Sequence, residues 1–408
     1  MKFQSVIISF IGFLFTSQTI LTHAKYCASS SKEKYLNPTV TSDPGASSFM
    51  KELMFMAEQP LAYWYEDRSG DLESSKQALN NFVSKCGNDA PMVVIYGIPG
   101  KDCGAGESSS GYNTDNSYKQ FITNANDILK NNKDSIIILE PDATALTIDG
   151  NKCGQGKNYK KYLSDALSIL EGKVYLDVGH WIVIYGDEKI KQLTDFVSSI
   201  DTNNKLKGFS LNLSNYRKTE EMVEACRNIK KVSGKDYKCL IDTSRNNNGP
   251  SSINTWCNYN KAGIGISASD TASNADMSII DSFIWIKPAA ELDGSCYGGQ
   301  ESYTSSKGAG AFDLEWLKLL WKQGYYNSKD ISSLTPSEGT INTTPASTPD
   351  STPASTPDST PASTPPASII TTNSPPTTAN SPSPNSNAQS SPDKNINPQK
   401  NKYLICKS

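Results

Sequence analysis

Residues 92–103 read Met92-Val-Val-Ile-Tyr96-Gly-Ile-Pro-Gly-Lys-Asp102-Cys103, an apolar run followed by a polar turn that contains a carboxylate. A short apolar run bounded by turn residues predicts a buried β-strand. Similar runs recur between Pro38 and Tyr326, and they predict strands at Ile136–Leu139, Val174–Leu176, Gly208–Leu213, Cys239–Ile241 and Phe283–Ile286. Helical stretches separate these runs, and the alternation predicts a parallel α/β domain.

The helical stretches carry apolar residues at a spacing of three and four. These residues are Tyr118, Phe121, Ile122, Ala125, Ile128 and Leu129, then Tyr159, Tyr162, Leu163, Ala166 and Leu167, then Ile190, Leu193, Phe196, Val197 and Ile200. Each stripe predicts a helix that packs its apolar face against the sheet.

Polar residues follow every predicted strand. After the turn at Asp102, the segments are Glu140-Pro-Asp142, Asp177-Val-Gly-His180, Ser214-Asn-Tyr216, Asp242-Thr-Ser-Arg245 and Lys287-Pro-Ala-Ala-Glu291-Leu-Asp293. A single Asp after a strand is commonly a helix cap or a turn residue. Six consecutive strands with polar ends instead favour a functional site, because parallel strands open their carboxyl ends on one face.

These segments contain several carboxylates, and paired carboxylates are the groups that glycoside hydrolysis requires. One carboxyl group must keep its proton near neutral pH, so its pKa must be raised by a neighbouring carboxylate or by burial. Asp102 and Asp142 follow successive strands and could be coupled in this way. Trp64 and Trp256 could stack on sugar rings. For each of them, packing in the hydrophobic core is an equally good interpretation.

Charge and composition exclude several other functions. The chain of 408 residues has 39 basic and 42 acidic side chains, so we expect no nucleic-acid partner. It has two histidines, His23 and His180, which excludes multi-histidine metal sites and limits a Ser-His-Asp triad to His180. The sequence has no glycine-rich loop of the kind that binds phosphate groups, which argues against a nucleotide-dependent enzyme. We expect no metal and no cofactor.

The two ends of the chain differ from its centre. Lys2, the apolar run Val6–Phe15 and the small residues Thr22 and Ala24 predict a signal peptide, residues 1–24, cleaved after Ala24. We therefore expect a secreted protein, extracellular or in a cell wall, with no membrane contact after cleavage. Residues 25–330 then form the catalytic domain. Residues 331–408 are a low-complexity Thr/Ser/Pro-rich tail with a repeat that suggests an O-glycosylated stalk, and we favour a disordered spacer over a folded binding module.

In the polar segments that follow its predicted strands, the chain resembles glycoside hydrolase family 6, the cellobiohydrolases and endoglucanases that cleave β-1,4-glucan with inversion. The resemblance covers residues 37–326 and includes Trp256-Cys257. Its other segments are Tyr96-Gly-Ile-Pro-Gly-Lys-Asp-Cys103, Leu139-Glu-Pro-Asp142, Tyr175-Leu-Asp-Val-Gly-His180, Asn212-Leu-Ser-Asn-Tyr216, Ile241-Asp-Thr-Ser-Arg-Asn-Asn-Asn-Gly-Pro250 and Trp285-Ile-Lys-Pro-Ala-Ala-Glu-Leu-Asp-Gly294. It implies a distorted seven-stranded parallel β/α barrel.

The resemblance also implies roles for individual residues. Asp142 matches the general acid, Asp102 matches the aspartate that raises the pKa of the acid and helps organise the water, and Asp293 matches the proposed base. Tyr96 and Ser108 match residues near the distorted sugar and the water chain. Sugar-binding positions are matched by Asp177, His180, Asn215, Trp256, Lys287 and Glu291, and Trp64 is a further candidate.

The nine cysteines of an exported chain are expected to form disulfides. The resemblance implies the pairs Cys103–Cys153 and Cys257–Cys296, each tethering a loop of the active face. Spacing alone suggests Cys226–Cys239. Cys27 and Cys86 could pair, which leaves Cys406 unpaired.

Three positions depart from the pattern of the family. Val183 and Gly186 stand where a tryptophan platform is expected after His180, and Trp181 follows the histidine directly, so an acceptor-side subsite could be weak or lost. Ala289-Ala290 replaces a glycine pair. Lys101 replaces an arginine and loses its bidentate geometry.

We therefore expect a secreted, monomeric, inverting glycoside hydrolase that acts on cellulose or a related β-glucan. Only Gly294 and Ser295 separate Asp293 from Cys296, which predicts an open cleft and internal cleavage, unless residues 297–311 form a lid. The alternative is a carbohydrate-binding wall protein that kept the fold and lost turnover. The sequence does not identify the natural polysaccharide.

Overall fold

Seven parallel strands form one sheet, in the same order as in the chain, in the computed structural model of the protein. The structure describes residues 26–67, 71–103, 114–150, 158–268, 276, 278–296 and 301–331. The strands are β1 Tyr63–Glu66, β2 Met92–Tyr96, β3 Ile136–Leu139, β4 Lys173–Asp177, β5 Leu206–Leu211, β6 Lys238–Asp242 and β7 Ile280–Ile284. The sheet curls into a half-barrel, which confirms the predicted fold class.

Among the described residues, most of the helices alternate with the strands and pack against the outer face of the sheet, whereas three precede the first strand and one follows the last. They are α1 Ser29–Tyr35, α2 Pro38–Thr41, α3 Met50–Ala57, α4 Leu72–Cys86, α5 Asp115–Leu129, α6 Ala143–Ile148, α7 Tyr159–Ile169, α8 Trp181–Ile184, α9 Asp187–Ile200, α10 Thr219–Ser233 and α11 Leu314–Lys322. The three predicted helical stripes lie on α5, α7 and α9, and most of their residues are fully buried. The prediction of these helices is confirmed.

The strands separate two apolar layers because successive side chains of a strand point to opposite faces. In β2, Val93 and Ile95 pack against the helices, whereas Met92, Val94 and Tyr96 point into the half-barrel. Both faces are buried, which explains why the strand sequences are almost continuously apolar. Tyr96 is the last residue of β2, so its ring lies at the carboxyl end of the half-barrel interior.

The predicted strand bounds need correction at β1, β5 and β7, while β4 and β6 extend one residue further at each end than predicted. Strand β5 begins two residues earlier than predicted, at Leu206. Strand β1 was not predicted, since Tyr63-Trp-Tyr-Glu66 is a short, partly exposed edge strand with a charged end. Strand β5 ends at Leu211 and not at Leu213, because Asn212 takes a left-handed conformation with φ 65°. Strand β7 covers Ile280–Ile284 and not Phe283–Ile286. It begins earlier than predicted because Ile280 pairs with Cys239 of β6 despite the polar residues that follow it.

The two edge strands meet where the half-barrel curls. Leu61 forms a parallel bridge with Trp285, and the Ala62 N–H donates to the Trp285 carbonyl over 3.0 Å. The indole N–H of Trp64 donates to the Ile286 carbonyl over 2.9 Å. A second apolar cluster, made mainly by α3 and α11, packs around Trp285 and includes Ile331. These contacts bring the segments after β1 and β7 to one side of the carboxyl-end face.

Three disulfides have both of their cysteines among the described residues. Cys27–Cys86, Cys226–Cys239 and Cys257–Cys296 are all present, which confirms these expected pairs. Cys103 is disulfide-bonded, whereas its expected partner Cys153 lies outside the described residues. The same holds for Cys406.

The described residues include no helix that is long and apolar enough to cross a membrane. They all belong to one of two compact units of the chain, Met1–Ser337 with residues 403–408. The predicted signal peptide, and the predicted tail apart from Ile331, lie outside the described residues.

Candidate active site

A cleft of about 670 Å³ opens at the carboxyl ends of the strands. Most of the predicted site residues line it, namely Trp64, Tyr96, Asp102, Asp142, His180, Asn215, Trp256, Lys287, Glu291 and Asp293. Asp177 is buried and contacts the backbone of Asp142. Ser108 lies outside the described residues. The fold therefore brings together side chains from six different strand ends, as parallel topology predicts.

Asp142 projects from a strained turn between β3 and α6. Its φ is 66°, in the left-handed region that non-glycine residues rarely occupy. The Asp142 N–H donates to Asp177 Oδ2 over 2.9 Å, which holds the turn in this conformation. Burial, and secondly the negative charge of Asp102, raise the pKa of Asp142 to about 6. Strain of this kind at a cleft is typical of a functional position.

Asp177 supports this turn from the end of β4. Its Oδ2 also accepts the Gly179 N–H over 3.3 Å, and Oδ1 has no hydrogen-bond partner among the residues that the structure describes. Burial raises the pKa of Asp177 well above its usual value, and the nearby Asp142 carboxylate raises it further. Ionising both carboxyl groups at once is therefore unfavourable.

Glu140, at the end of β3, holds the turn that carries Asp102 through hydrogen bonds to its backbone. The Glu140 carboxylate is fully buried and accepts the N–H groups of Gly97 and Ile98, each over 3.1 Å. Burial raises the pKa of Glu140 to about 7, although these hydrogen bonds oppose the rise. Lys101 fixes the turn further, since its ammonium group lies 2.5 Å from Asp67 Oδ1. The carboxyl groups of Asp102 and Asp142 are thereby held on adjoining strand ends.

Asp293 occupies a different environment, surrounded by hydrogen-bond donors. Its Oδ1 lies 2.9 Å from Nη1 of the fully buried Arg245. Its Oδ2 accepts the Tyr216 hydroxyl and, over 2.9 Å, the Asn258 N–H. The Arg245 guanidinium stacks on the Tyr216 ring, 4.5 Å from its centroid. This carboxylate is therefore oriented by a cation and two further donors.

Asp242 organises the loops around that cluster. Its two carboxylate oxygens accept the N–H groups of Ser214, Ser244, Ile286 and Lys287 at 3.0–3.2 Å. These four amides belong to the segments after β5, β6 and β7. One buried carboxylate thus satisfies amide groups that would otherwise lack partners and fixes the positions of three loops.

Aromatic and polar side chains form the walls of the cleft. Trp64 packs edge-to-face on Tyr96, with ring centroids 5.8 Å apart. Trp256 and Asn215 line the cleft near Asp293, and the Cys257–Cys296 disulfide joins the loops that hold Trp256 and Asp293. Flat rings beside polar groups suit a sugar, which has apolar faces and hydroxyl edges.

Charged and titratable groups complete the lining. Glu291 accepts the Lys34 ammonium through Oε1, and its Oε2 lies 3.5 Å from Lys287 Nζ. Burial, and secondly the Arg217 guanidinium, lower the pKa of His180 to about 4, so its ring is neutral above that pH. Among the described residues, no group of three His, Cys, Asp or Glu side chains could hold a metal ion.

The arrangement separates two carboxyl groups by their surroundings. Asp142 is desolvated and lies beside other carboxylates, which favours its protonated form. Asp293 is ion-paired with Arg245. Carboxyl groups in such contrasting environments can divide the roles of acid and base.

The model for glycosyl hydrolases family 6 matches residues 21–323. The chain belongs to this family. It is 32% identical over 249 residues to Endoglucanase A of Cellulomonas fimi, covering 60% of this chain and 51% of that relative. It is 34% identical over 217 residues to Endoglucanase A of Thermobispora bispora, covering 50% of this chain and 44% of that relative. The chain therefore spans about half the length of these curated relatives.

Solved structures of glycosyl hydrolase family 6 share the fold. Endoglucanase CEL6B from Humicola insolens has a TM-score of 0.63 and 22% identity, over 75% of this chain and 98% of that chain. Cellobiohydrolase II from the same organism has a TM-score of 0.62 and 20% identity, over 74% and 98%.

The structure shows what surrounds the residues that depart from the family 6 pattern. Val183 is buried in the core of the domain. Ala289 and Ala290 are buried in the second apolar cluster, where their methyl groups contribute to packing. Lys101 forms a buried ion pair with Asp67. A single ammonium group is sufficient for this contact, so the two-pronged hydrogen bonding of an arginine is not required.

Several residues of the site were not assigned roles from the sequence. Four of them lie in the segments that carry the family resemblance, namely Glu140, Asp242, Tyr216 and Arg245. The polar residues that follow each strand are the sequence signal that could have identified them. Lys34 and Asn258 lie in segments with no such signal. Their contacts span 257 and 35 positions of the chain respectively.

Proposed function

We propose that this protein is a secreted, inverting glycoside hydrolase that cleaves β-1,4-glucosidic bonds in cellulose or a related β-glucan, at internal positions of the chain. The observation that carries the proposal is Asp142, whose pKa of about 6 is produced by burial and by Asp102 inside an aromatic-walled cleft. Membership of glycosyl hydrolase family 6 and similarity to proteins named endoglucanase support it.

In the proposed reaction, the protonated Asp142 carboxyl group gives its proton to the glycosidic oxygen while the bond from that oxygen to the anomeric carbon breaks. A water molecule attacks the anomeric carbon from the opposite face and forms the new C–O bond. Asp293, helped by Asp102 in organising the water, takes the proton that the water loses. The stereochemistry at the anomeric carbon is inverted because a single displacement occurs.

The remaining groups bind the polysaccharide in this proposal. Trp64 and Trp256 stack on pyranose faces, and Asn215, His180, Lys287 and Glu291 bind hydroxyl groups. The enzyme acts as a monomer, and disulfides such as Cys27–Cys86, Cys226–Cys239 and Cys257–Cys296 suit an oxidising extracellular compartment.

Reducing-sugar release from a panel of polysaccharides tests the proposal. Soluble carboxymethylcellulose, mixed-linkage β-glucan and crystalline cellulose serve as substrates, and α-1,4-glucan serves as the linkage control. We expect release from at least one β-1,4-containing polymer by the wild type, loss of release in Asp142→Asn and none from the α-glucan. A protein that binds β-glucan and releases no sugar would instead support the carbohydrate-binding alternative.

A further inference from the structure

Helix α1 lies before the first strand and forms part of the cleft wall. Ser30, Glu33 and Lys34 of this helix line the cleft together with the candidate catalytic carboxylates. Lys34 lies in none of the segments that carry the family resemblance. Its side chain is 34% exposed and extends to Glu291, which binds hydroxyl groups in the proposed function. A helix that precedes the sheet therefore reaches a candidate sugar-binding residue.

The Glu291 carboxylate lies between two ammonium groups. Its Oε1 accepts the Lys34 ammonium group, and its Oε2 lies 3.5 Å from Nζ of Lys287. The side chains of Glu291 and Lys287 are each 13% exposed, and all three residues line the cleft. A carboxylate has about four acceptor positions, so an oxygen that accepts an ammonium group keeps a lone pair for a sugar hydroxyl. Cations on both oxygens restrict the rotation of the carboxylate.

Helix α1 does not depend on this ion pair for its position. The buried Tyr35 hydroxyl accepts the Ala289 N–H over 3.1 Å. The Ser30 hydroxyl donates to the Leu61 carbonyl, and the Cys27–Cys86 disulfide joins the residues before α1 to α4. A partly exposed ion pair adds little stability to a helix that is already held in this way. The contact from the lysine therefore acts mainly on its carboxylate partner.

We infer that Lys34 is a positioning residue for Glu291. The inference rests on the proposed function, in which Glu291 binds a sugar hydroxyl, and it adds a residue of α1 to those that set the affinity for the polysaccharide. The Lys34 ammonium group holds Oε1 and keeps the carboxylate in the orientation that the hydroxyl requires. An acceptor that is fixed beforehand loses less conformational freedom when the substrate binds. Without the lysine, the carboxylate turns towards Lys287 and loses this orientation.

The test measures binding of cellohexaose by isothermal titration calorimetry in the Asp142→Asn background, in which the ligand is not consumed. The variants are Lys34→Met, Lys34→Arg and a control, Lys32→Met. Lys32 lies on the same helix, forms an ion pair with Glu58 over 3.2 Å and lies outside the cleft lining. Lys34→Met should weaken binding about 10-fold. Lys34→Arg keeps a cation beside Glu291 and should bind within about threefold of the parent, and the control should bind normally.

A double-mutant cycle separates positioning from direct binding. Glu291→Gln should itself weaken cellohexaose binding. Lys34→Met should add little to this loss, because the lysine acts through Glu291. Thermal unfolding of the same variants gives a second readout. Lys34→Met should unfold within about 2 °C of the parent, since contacts that do not include this residue hold α1.

The outcomes separate the positioning role from the function. Normal cellohexaose binding by Lys34→Met or by Glu291→Gln would overturn the inference, as would an equal loss in Lys32→Met. It would also be overturned if Lys34→Arg bound as weakly as Lys34→Met, if the two losses in the cycle were independent, or if Lys34→Met unfolded many degrees below the parent. If the Asp142→Asn parent binds no cello-oligosaccharide, the proposed function fails and the inference fails with it.

Discussion

The Asp142 N–H donates a hydrogen bond to Asp177 Oδ2 over 2.9 Å, so one carboxylate holds the backbone of another at adjoining strand ends. The bond keeps Asp142 in a left-handed conformation that its own sequence does not favour. Burial raises the pKa of Asp177, and the nearby Asp142 carboxylate raises it further, while the hydrogen bond from the Asp142 N–H opposes the rise. The same pair of residues therefore fixes the backbone of the turn and contributes to the proton affinity of the Asp177 carboxyl group.

The first prediction concerns the acid. Asp142→Asn keeps the shape of the side chain and removes the proton donor, so turnover of unactivated β-glucan should fall by on the order of several hundredfold or more. Aryl cellobiosides with good leaving groups should lose less, since they need less protonation. Asp149→Asn, which changes another carboxylate of the cleft lining, is the matched control. Near-normal hydrolysis of β-glucan by Asp142→Asn would remove the assignment.

The second prediction concerns Asp102. The acid works when protonated, so the rate should fall as pH rises through the Asp142 pKa of about 6. Asp102→Asn removes a negative charge that raises this pKa, and the alkaline limb of kcat/KM should therefore move to lower pH. Asp149→Asn should leave the limb where it is. An unchanged alkaline limb in Asp102→Asn would contradict the coupling.

The third prediction concerns stability and Glu140. Its folded-state pKa of about 7 lies above the ordinary value of 4.5, so the folded state binds more protons than the unfolded state between these values. The free energy of unfolding should therefore fall as pH rises from about 4.5 to 7, by up to about 3 kcal/mol from this group. Urea unfolding at pH 5 and pH 7.5 measures the change.

Glu140→Gln cannot ionise, so it should reduce this pH dependence, although Asp142 and Asp177, whose pKa values are also raised, keep part of the slope. The variant should also lower stability, because an amide offers one acceptor oxygen where the carboxylate offers two. Glu73→Gln, at an exposed glutamate of α4, is the control and should keep the slope. If Glu140→Gln has the same slope as the wild type, another group is responsible.

The sequence predicts the strands at Met92–Tyr96 and Ile136–Leu139 with their observed bounds because both are apolar on two buried faces. It does not predict Tyr63–Glu66, where partial exposure at the edge of the sheet leaves no apolar run. Buried central strands thus leave a clear pattern, whereas edge strands can be understood only with their neighbour in place.

In the candidate site, too, some residues can be predicted from the local sequence and others cannot. Asp142 and Asp293 were found because each belongs to a polar segment after a strand. The ion pair between Arg245 and Asp293 joins two such segments that are distant in the chain, and no local pattern indicates which polar residues will meet. Asn258 contacts Asp293 from a loop without a strand signal. Partners of this kind follow from topology and not from spacing.

The fourth prediction is stereochemical. A single displacement by water on the face opposite the Asp142 acid inverts the anomeric carbon, so the first product of β-glucan cleavage should be the α-anomer. Proton NMR of a fresh cellohexaose digest, recorded before mutarotation, resolves the two anomeric signals. Cellobiose at anomeric equilibrium provides the reference spectrum. An initial excess of the β-anomer would require a covalent intermediate and would exclude the proposed mechanism.

The fifth prediction concerns the mode of attack. The segment before α11 reaches the cleft through Ala309 and Gly310. However, it pairs back onto Leu292, which accepts the Gly310 N–H over 2.9 Å and donates to the Ala311 carbonyl over 3.1 Å. With two residues between Asp293 and Cys296, the adjoining loop is also short. Both features favour an open cleft that can bind a glucan chain along its length.

An open cleft should give internal cleavage. We expect the viscosity of carboxymethylcellulose to fall steeply while few reducing ends are made, and cellohexaose to yield products of several lengths. The ratio of viscosity loss to reducing ends, measured over the first few per cent of hydrolysis, is the readout. Cellobiose as nearly the sole early product, with viscosity almost unchanged, would show that the chain enters by its end and that the cleft is roofed.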